Sequence, residues 1–285
     1  MAIKKVTVLG AGLMGNGIAQ VCAQAGYDVI MRDIEDRFVE NGMNNIKKNF
    51  ERSVKKGKMS EGDVNTILGR LTGMVDLKEA LKDADLVIEA APENMDLKKT
   101  IYAEVEEFSP EKTIFASNTS SLSVTEMASA TKRPEKFIGM HFFNPVPMMK
   151  LVELIRGFLT SDETLAIVKE VSDKIGKTSV VCTDSPGFIA NRIAIPMMNE
   201  AYFALMEGVA TKEDIDTAMK LGYNHPMGPL ELTDLVGLDT ILHVLDVYFA
   251  EFEDPKYRAC PLLRQMVRAG LYGRKTGRGF YDYTK

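Results

Sequence analysis

Val6-Thr7-Val8-Leu9-Gly10-Ala11-Gly12-Leu13-Met14-Gly15 decides the fold, because residues suited to a buried strand run straight into a Gly-x-Gly-x-x-Gly turn. Residues 15–25 continue with apolar positions at helical spacing, so the glycines fall at a strand-to-helix junction, where this pattern has a physical meaning. Gly10 permits the tight turn, Gly12 lets a pyrophosphate approach the backbone, and Gly15 lets helix and strand pack closely. N–H groups at the helix N-terminus, those of Leu13 and Met14 among them, then meet the phosphates with the positive end of the helix dipole behind them. The next strand, 28–32, delivers Asp33 about 20 residues beyond the glycines, where a carboxylate accepts the ribose hydroxyls of an adenosine. Its charge repels a 2′-phosphate and favours NAD, while Arg32 beside it leaves NADP open. Taken alone, the glycines also suit a βα turn that binds nothing.

Beyond this unit, short apolar runs at 86–90, 113–117, 137–141 and 151–155 alternate with amphipathic stretches, which predicts strand–helix–strand units on a parallel sheet. Residues 34–71 are long, polar and helix-favouring, and read as one or two helices inserted after the second strand. Asp184-Ser185-Pro186-Gly187, four turn formers in a row, mark a boundary between domains at 1–184 and 185–285. Downstream, helical periodicity dominates: 189–207 with Pro196 bending it, 212–221 with Thr211 as N-cap, and a helix-rich span at 230–249. The fold class is therefore α/β, a dinucleotide-binding domain with a helical insertion, followed by an all-α C-terminal domain.

Composition narrows the function. The 285 residues suit about two domains at roughly 150 residues each. With 35 Lys+Arg against 40 Asp+Glu and a pI near 5.4, the chain lacks the basic field of a nucleic-acid binder. No run approaches the roughly 18 apolar residues of a membrane span. The N-terminus leads almost directly into a strand, so neither signal peptide nor anchor is expected and a cytoplasmic location is. Cys22, Cys182 and Cys260 are far apart with no Cys-x-x-Cys pair, so neither disulfides nor a metal site is expected.

Of the histidines His141, His225 and His243, only His141 ends a strand-like run, 137–141, at the carboxyl edge where an open α/β sheet binds its ligands. Glu153 stands among four aliphatic residues in the next run, and a buried carboxylate there calls for a cationic or hydrogen-bonding partner. An imidazole paired with a carboxylate suits hydride transfer from an alcohol: the ring takes the hydroxyl proton while the carboxylate fixes its tautomer. The same residues also describe a satisfied core histidine beside a strand-edge glutamate. Ser117-Asn118-Thr119-Ser120-Ser121 falls at a strand's carboxyl end, where a hydroxyl can meet a substrate oxygen, and Asn191, just past the linker, can reach an interdomain cleft as an amide donor; a serine-rich turn and a helix-start residue are the plainer alternatives.

Together these segments resemble the 3-hydroxyacyl-CoA dehydrogenase family, and are most similar to its short bacterial members acting on four-carbon substrates. The resemblance is carried by Gly10–Gly15, Asn118-Thr119-Ser120-Ser121-Leu122, His141-Phe142-Phe143-Asn144-Pro145-Val146-Pro147, Asp184-Ser185-Pro186-Gly187-Phe188 with Asn191-Arg192, Pro226-Met227-Gly228-Pro229 and Lys275-Thr276-Gly277. It implies a Rossmann-like domain, a helical domain that makes a homodimer or larger homo-oligomer, and interconversion of (S)-3-hydroxybutyryl-CoA and acetoacetyl-CoA. It further implies His141 as general acid/base oriented by Glu153, Ser120 and Asn191 on the substrate's oxygens, and Asp33, Glu93, Lys98, Ser120, Asn144 and Lys275 on NAD. Lys56 and Asn49 in the insertion, together with Ser120, are the implied contacts to the acyl-CoA. Independently of the family, Lys47, Lys48, Arg52, Lys55, Lys56 and Lys58 gather positive charge suited to the phosphates of CoA, although a charge run is also simply a solvated helix face. Alternatives are a dehydrogenase of longer 3-hydroxyacyl-CoAs, one of free 3-hydroxy acids, and a non-catalytic NAD-binding protein.

Overall fold

The structure, a computed structural model, describes residues 2–284. It divides into two compact units, Met1–Ser185 and Pro186–Lys285. The first contains β1 (Lys5–Leu9), α1 (Leu13–Gln24), β2 (Asp28–Arg32), α2 (Asp36–Lys55), α3 (Glu61–Leu68), β3 (Leu71–Met74), α4 (Leu77–Leu81), β4 (Leu86–Glu89) and α5 (Met95–Phe108). It continues through β5 (Ile114–Ser117), α6 (Val124–Ala128), β6 (Phe137–Phe142), β7 (Leu151–Arg156), α7 (Asp162–Lys174) and β8 (Thr178–Thr183). Among the described residues eight strands form one sheet in the order β3-β2-β1-β4-β5-β6-β7-β8.

β4, β5 and β6 are buried at every position, which explains why they read as unbroken apolar runs rather than as alternating ones. The expectation of a parallel sheet holds from β3 to β6 but not at β7, which runs antiparallel to β6. Residues 143–150 hold no helix and are too few for a crossover, which takes about a dozen residues or more, so the chain returns directly beside β6. β3 and β8, which lie outside the apolar runs, are the edge strands of the sheet. β8 is exposed or half-buried along its whole length, so it lacks the apolar signature of an interior strand.

The 34–71 insertion forms two helices and ends on the edge strand β3. α2 turns Val39, Ile46 and Phe50 inward at helical spacing and keeps its lysines in solvent. Ser60 and Asp63 start α3 with a reciprocal capping box.

The second unit is helical: α8 (Ala190–Met206), α9 (Lys212–Gly222), α10 (Pro229–Val236), α11 (Leu238–Phe252) and α12 (Pro261–Arg268). Its core gathers Tyr202, Leu230, Leu238, Leu245, Tyr248, Leu263 and Phe280. Thr211 caps α9 and Pro196 lies inside α8, both at their expected places. The 230–249 span is two helices, because Gly237 at φ 110° breaks it. The tail is tied down by the buried Asp234 carboxylate, which accepts from the Phe280 and Tyr281 N–H groups at 2.9 and 2.8 Å. Among the described residues no helix is long and apolar enough to cross a membrane, and no cluster of His, Cys, Asp and Glu could hold a metal ion.

Candidate active site

β1 and β4 are neighbours, yet the chain leads from β1 toward β3 on one side and from β4 toward β8 on the other. Such a switch in strand order opens a crevice at the carboxyl ends of the two strands. Gly10 lines it at φ 100°, and a Cβ there would stand 2.7 Å from the Ala90 carbonyl oxygen that follows β4. A Cβ on Gly15 would lie 1.8 Å from the Gly10 oxygen, so helix and turn touch backbone to backbone. Where a Cβ on Gly12 would sit, no atom lies within 4 Å. α1 starts with no side-chain cap and no acidic residue in its first turn, leaving its N-terminal positive field directed at that open space.

Asp33 follows β2 at the same edge. Its Oδ2 accepts from Ala11 N and its Oδ1 from Ile34 N, both at 2.7 Å, so the carboxylate is fixed against the glycine turn. Arg32 donates Nε to the Val75 carbonyl at 2.9 Å. Open space at Gly12, an uncapped helix start and an anchored carboxylate suit the phosphates and an adenosine ribose of a dinucleotide. Gly15→Ala should cost about 1–3 kcal/mol through overpacking and weaken NADH binding, read by urea unfolding and by NADH fluorescence titration. Unchanged NADH affinity in a folded Gly15→Ala protein would remove this turn from the cofactor site.

The antiparallel register of β6 and β7 sets His141 directly opposite Glu153. Directly paired residues project from the same face of a sheet, so the two side chains meet. His141 Nδ1 lies 2.7 Å from Glu153 Oε2. Glu153 is 0% exposed and His141 only 6%, and the Phe143 ring lies 4.6 Å from the imidazole, centre to centre. With a carboxylate at Nδ1, the neutral ring carries its proton there and its lone pair on Nε2.

The turn after β5 lies beside the end of β6, tied by Phe142 N donating to Asn118 Oδ1 at 2.9 Å. Glu93 organises this turn: its Oε1 accepts from Thr119 Oγ1 at 2.7 Å and from the backbone N–H groups of Ser120 and Ser121 at 2.8 and 3.0 Å. Burial pushes the Glu93 carboxyl up, but the Lys98 charge and these donors together hold it below the usual glutamate range, so it is a carboxylate at neutral pH. Lys98 is 1% exposed and stands between two acids, with Nζ 2.5 Å from Glu89 Oε1 and 3.5 Å from Glu93 Oε2.

Residues 5–185 match the model of the 3-hydroxyacyl-CoA dehydrogenase NAD binding domain, and residues 187–283 match that family's C-terminal domain. The chain belongs to the 3-hydroxyacyl-CoA dehydrogenase family. A probable 3-hydroxybutyryl-CoA dehydrogenase of Bacillus subtilis is 51% identical over 99% of this chain and 98% of its own. A 3-hydroxybutyryl-CoA dehydrogenase of Clostridioides difficile is likewise 51% identical, over 99% of this chain and all of its own. The crystal structure of (S)-3-hydroxybutyryl-CoA dehydrogenase from Ralstonia eutropha superposes with a TM-score of 0.98 at 52% identity, covering 100% of both chains. The protein is thus an NAD-dependent 3-hydroxyacyl-CoA dehydrogenase family enzyme, and the Rossmann-like sheet, the helical second domain and NAD as cofactor are as expected from the sequence.

Within this dehydrogenase the first unit brings together Gly10, Gly12, Gly15 and Asp33 around the glycine turn, His141 with Glu153, and Glu93 with Lys98 and Ser120. Asn144 is exposed in the connection after β6 and precedes Pro145 through a cis bond. Lys56 is exposed at the C-terminus of α2, whereas the Asn49 amide turns toward α1 and donates to Gln20 Oε1 at 3.1 Å. In the second unit Asn191 occupies the first turn of α8, and Lys275 pairs with Asp239 at 2.5 Å. Sequence reasoning passed over Glu89, the last residue of β4. The signal was available: a carboxylate closing the aliphatic run Leu86-Val87-Ile88 presents the burial problem that singled out Glu153.

Proposed function

We propose that this enzyme interconverts (S)-3-hydroxybutyryl-CoA and acetoacetyl-CoA, with His141 as general acid/base and Glu153 as its orienting partner. The observation that carries the reading is the 2.7 Å contact between His141 Nδ1 and Glu153 Oε2 across β6 and β7. In oxidation, His141 Nε2 takes the C3 hydroxyl proton while Glu153 stabilises the imidazolium that forms. In reduction the same nitrogen returns a proton to the C3 oxygen as it gains charge. NAD, when bound, accepts or supplies the hydride at C3. Gly10, Gly12, Leu13, Met14 and Gly15 hold its pyrophosphate in this reading, and Asp33 its ribose. Ser120 is proposed to donate to the substrate's oxygen from the turn that Glu93 fixes. The roles of Asn144, Asn191 and Lys275 rest on their matching motifs alone. The same holds for the homodimer proposed through the second unit.

For the CoA nucleotide we propose the exposed basic face of α2, centred on Lys56. Lys56→Ala should raise KM for CoA thioesters about two- to fivefold, the worth of one exposed charge contact, and leave KM for the matching pantetheine thioesters unchanged. Equal effects on both would move CoA recognition off this helix. Asn49 is the weaker member of this set, since its amide is engaged by Gln20.

The whole reading is tested by NADH consumption with acetoacetyl-CoA against free acetoacetate, followed by a chain-length series of 3-oxoacyl-CoAs. Turnover confined to the thioesters and highest for the four-carbon one supports it. Equal rates with the free acid, or none with either, would replace it by the free-acid dehydrogenase or the non-catalytic alternative.

A further inference from the structure

A buried carboxylate with no part in the steps above lies at the floor of the cofactor crevice. Glu89 ends β4 in register with Leu9 of β1 and Ser117 of β5 and is 0% exposed. Its Oε1 accepts from Ala91 N at 2.6 Å and from Lys98 Nζ at 2.5 Å, and its Oε2 accepts from Ser117 Oγ at 2.7 Å. The ends of β4 and β5, the connection leaving β4 and the helix α5 therefore converge on one side chain. Ser117 Oγ in turn accepts from Thr119 N at 3.2 Å, so the next turn is built on the same anchor.

Stability alone does not account for charges here. Desolvating a carboxylate and an ammonium costs several kcal/mol each, and an apolar pair of similar volume often holds a core as firmly or better. What the ion pair achieves is placement. Lys98 Nζ is held by Glu89 and the Ala91 carbonyl at 3.2 Å, and stands 3.5 Å from Glu93 Oε2. Glu93 therefore keeps Oε1 for the donors of residues 119–121 while its other oxygen faces Lys98.

We propose that Glu89 is a positioning residue for catalysis: it holds the Lys98 ammonium beneath the crevice and, through Lys98, sets Glu93 and the Ser120 turn. This rests on the reading of Lys98, Glu93 and Ser120 as cofactor and substrate contacts. Once the Glu89 charge is removed, Glu93 is the carboxylate left to Lys98 in this cluster. The ammonium closes on it from 3.5 Å toward the roughly 2.8 Å of a charge-assisted bond, drawing Glu93 from the turn it organises.

The test uses the full-length enzyme with NADH and acetoacetyl-CoA, and three variants: Glu89→Gln, Glu89→Asp and Lys98→Met. Glu89→Gln keeps the shape but loses the charge and one of the two acceptor oxygens that Lys98 and Ser117 meet. It should lower kcat and raise KM for NADH together, so that kcat/KM for NADH falls roughly 10- to 100-fold, the scale of a misplacement near 1 Å. A purely structural role would reduce the amount of folded enzyme, and with it the apparent kcat, but leave KM for NADH unchanged. Glu89→Asp keeps the charge but draws it back by one methylene from Lys98, and should shift KM for NADH in the same direction by about fivefold or less. If Glu89→Gln does not fold, Glu89→Asp decides alone: a raised KM for NADH supports the proposal and an unchanged one overturns it. Lys98→Met separates the two levels. If it leaves NADH affinity unchanged, the cofactor reading of Lys98 fails; if it weakens NADH while Glu89→Gln does not, only the positioning role of Glu89 fails.

Discussion

His141→Gln lowers kcat by roughly 100- to 10,000-fold in both directions, the contribution of a positioned general acid/base, and leaves the Kd for NADH nearly unchanged. Glutamine keeps a hydrogen bond to Glu153 and most of the packing at a site that is 6% exposed, but has no nitrogen that titrates. The glycine turn and Asp33 lie after other strands, β1 and β2, so cofactor binding is untouched by the change. Steady-state rates with acetoacetyl-CoA and NADH, beside NADH titration of the resting enzyme, separate the two effects. Activity near that of the unaltered enzyme would take His141 out of the chemistry, and loss of NADH binding would show that the substitution had disturbed the fold.

Glu153→Gln is the second large effect. The amide still reaches Nδ1 of His141, but it offers no negative charge to the imidazolium and does not enforce the tautomer with its lone pair on Nε2. Neutralising the acid behind a catalytic histidine costs about 10,000-fold in the best-studied hydrolytic triad, and a loss in kcat of at least about 100-fold is expected here. Glu153 is 0% exposed, so the loss comes with little fall in unfolding free energy, since the variant no longer buries a charge. The double variant His141→Gln with Glu153→Gln should be no slower than His141→Gln alone, because the two groups act as one unit. Additive losses would mean that Glu153 acts on the reaction independently of the imidazole.

Much of this site was legible in the sequence because its residues violate ordinary patterning. Three glycines between a strand and a helix cost conformational entropy that only close backbone approach rewards, and the contacts at Gly10 and Gly15 show that approach. A glutamate amid aliphatic neighbours at 151–155 announced a partner, and the partner is His141. What escaped notice has physical reasons as well. The reversal of β7 leaves no mark in the 137–141 and 151–155 runs, whose strands are buried whichever way they run. Glu89 closes its strand, where a polar residue normally marks emergence into solvent, and only the arrival of Lys98 from α5 makes it a buried ion pair. The orientation of Asn49 toward Gln20 depends on how α2 rotates over α1, which periodicity fixes only to within a neighbouring position.

The dyad is tested most directly by the pH dependence of kcat/KM measured in both directions for the unaltered enzyme and for His141→Gln. Reduction needs a protonated imidazole and oxidation a neutral one. A single ionisation should therefore weaken reduction and strengthen oxidation as pH rises, and it should vanish from both profiles in the variant. The same ionisation persisting in His141→Gln would place the proton on another residue and contradict the assignment of the β6–β7 pair as the acid/base of this enzyme.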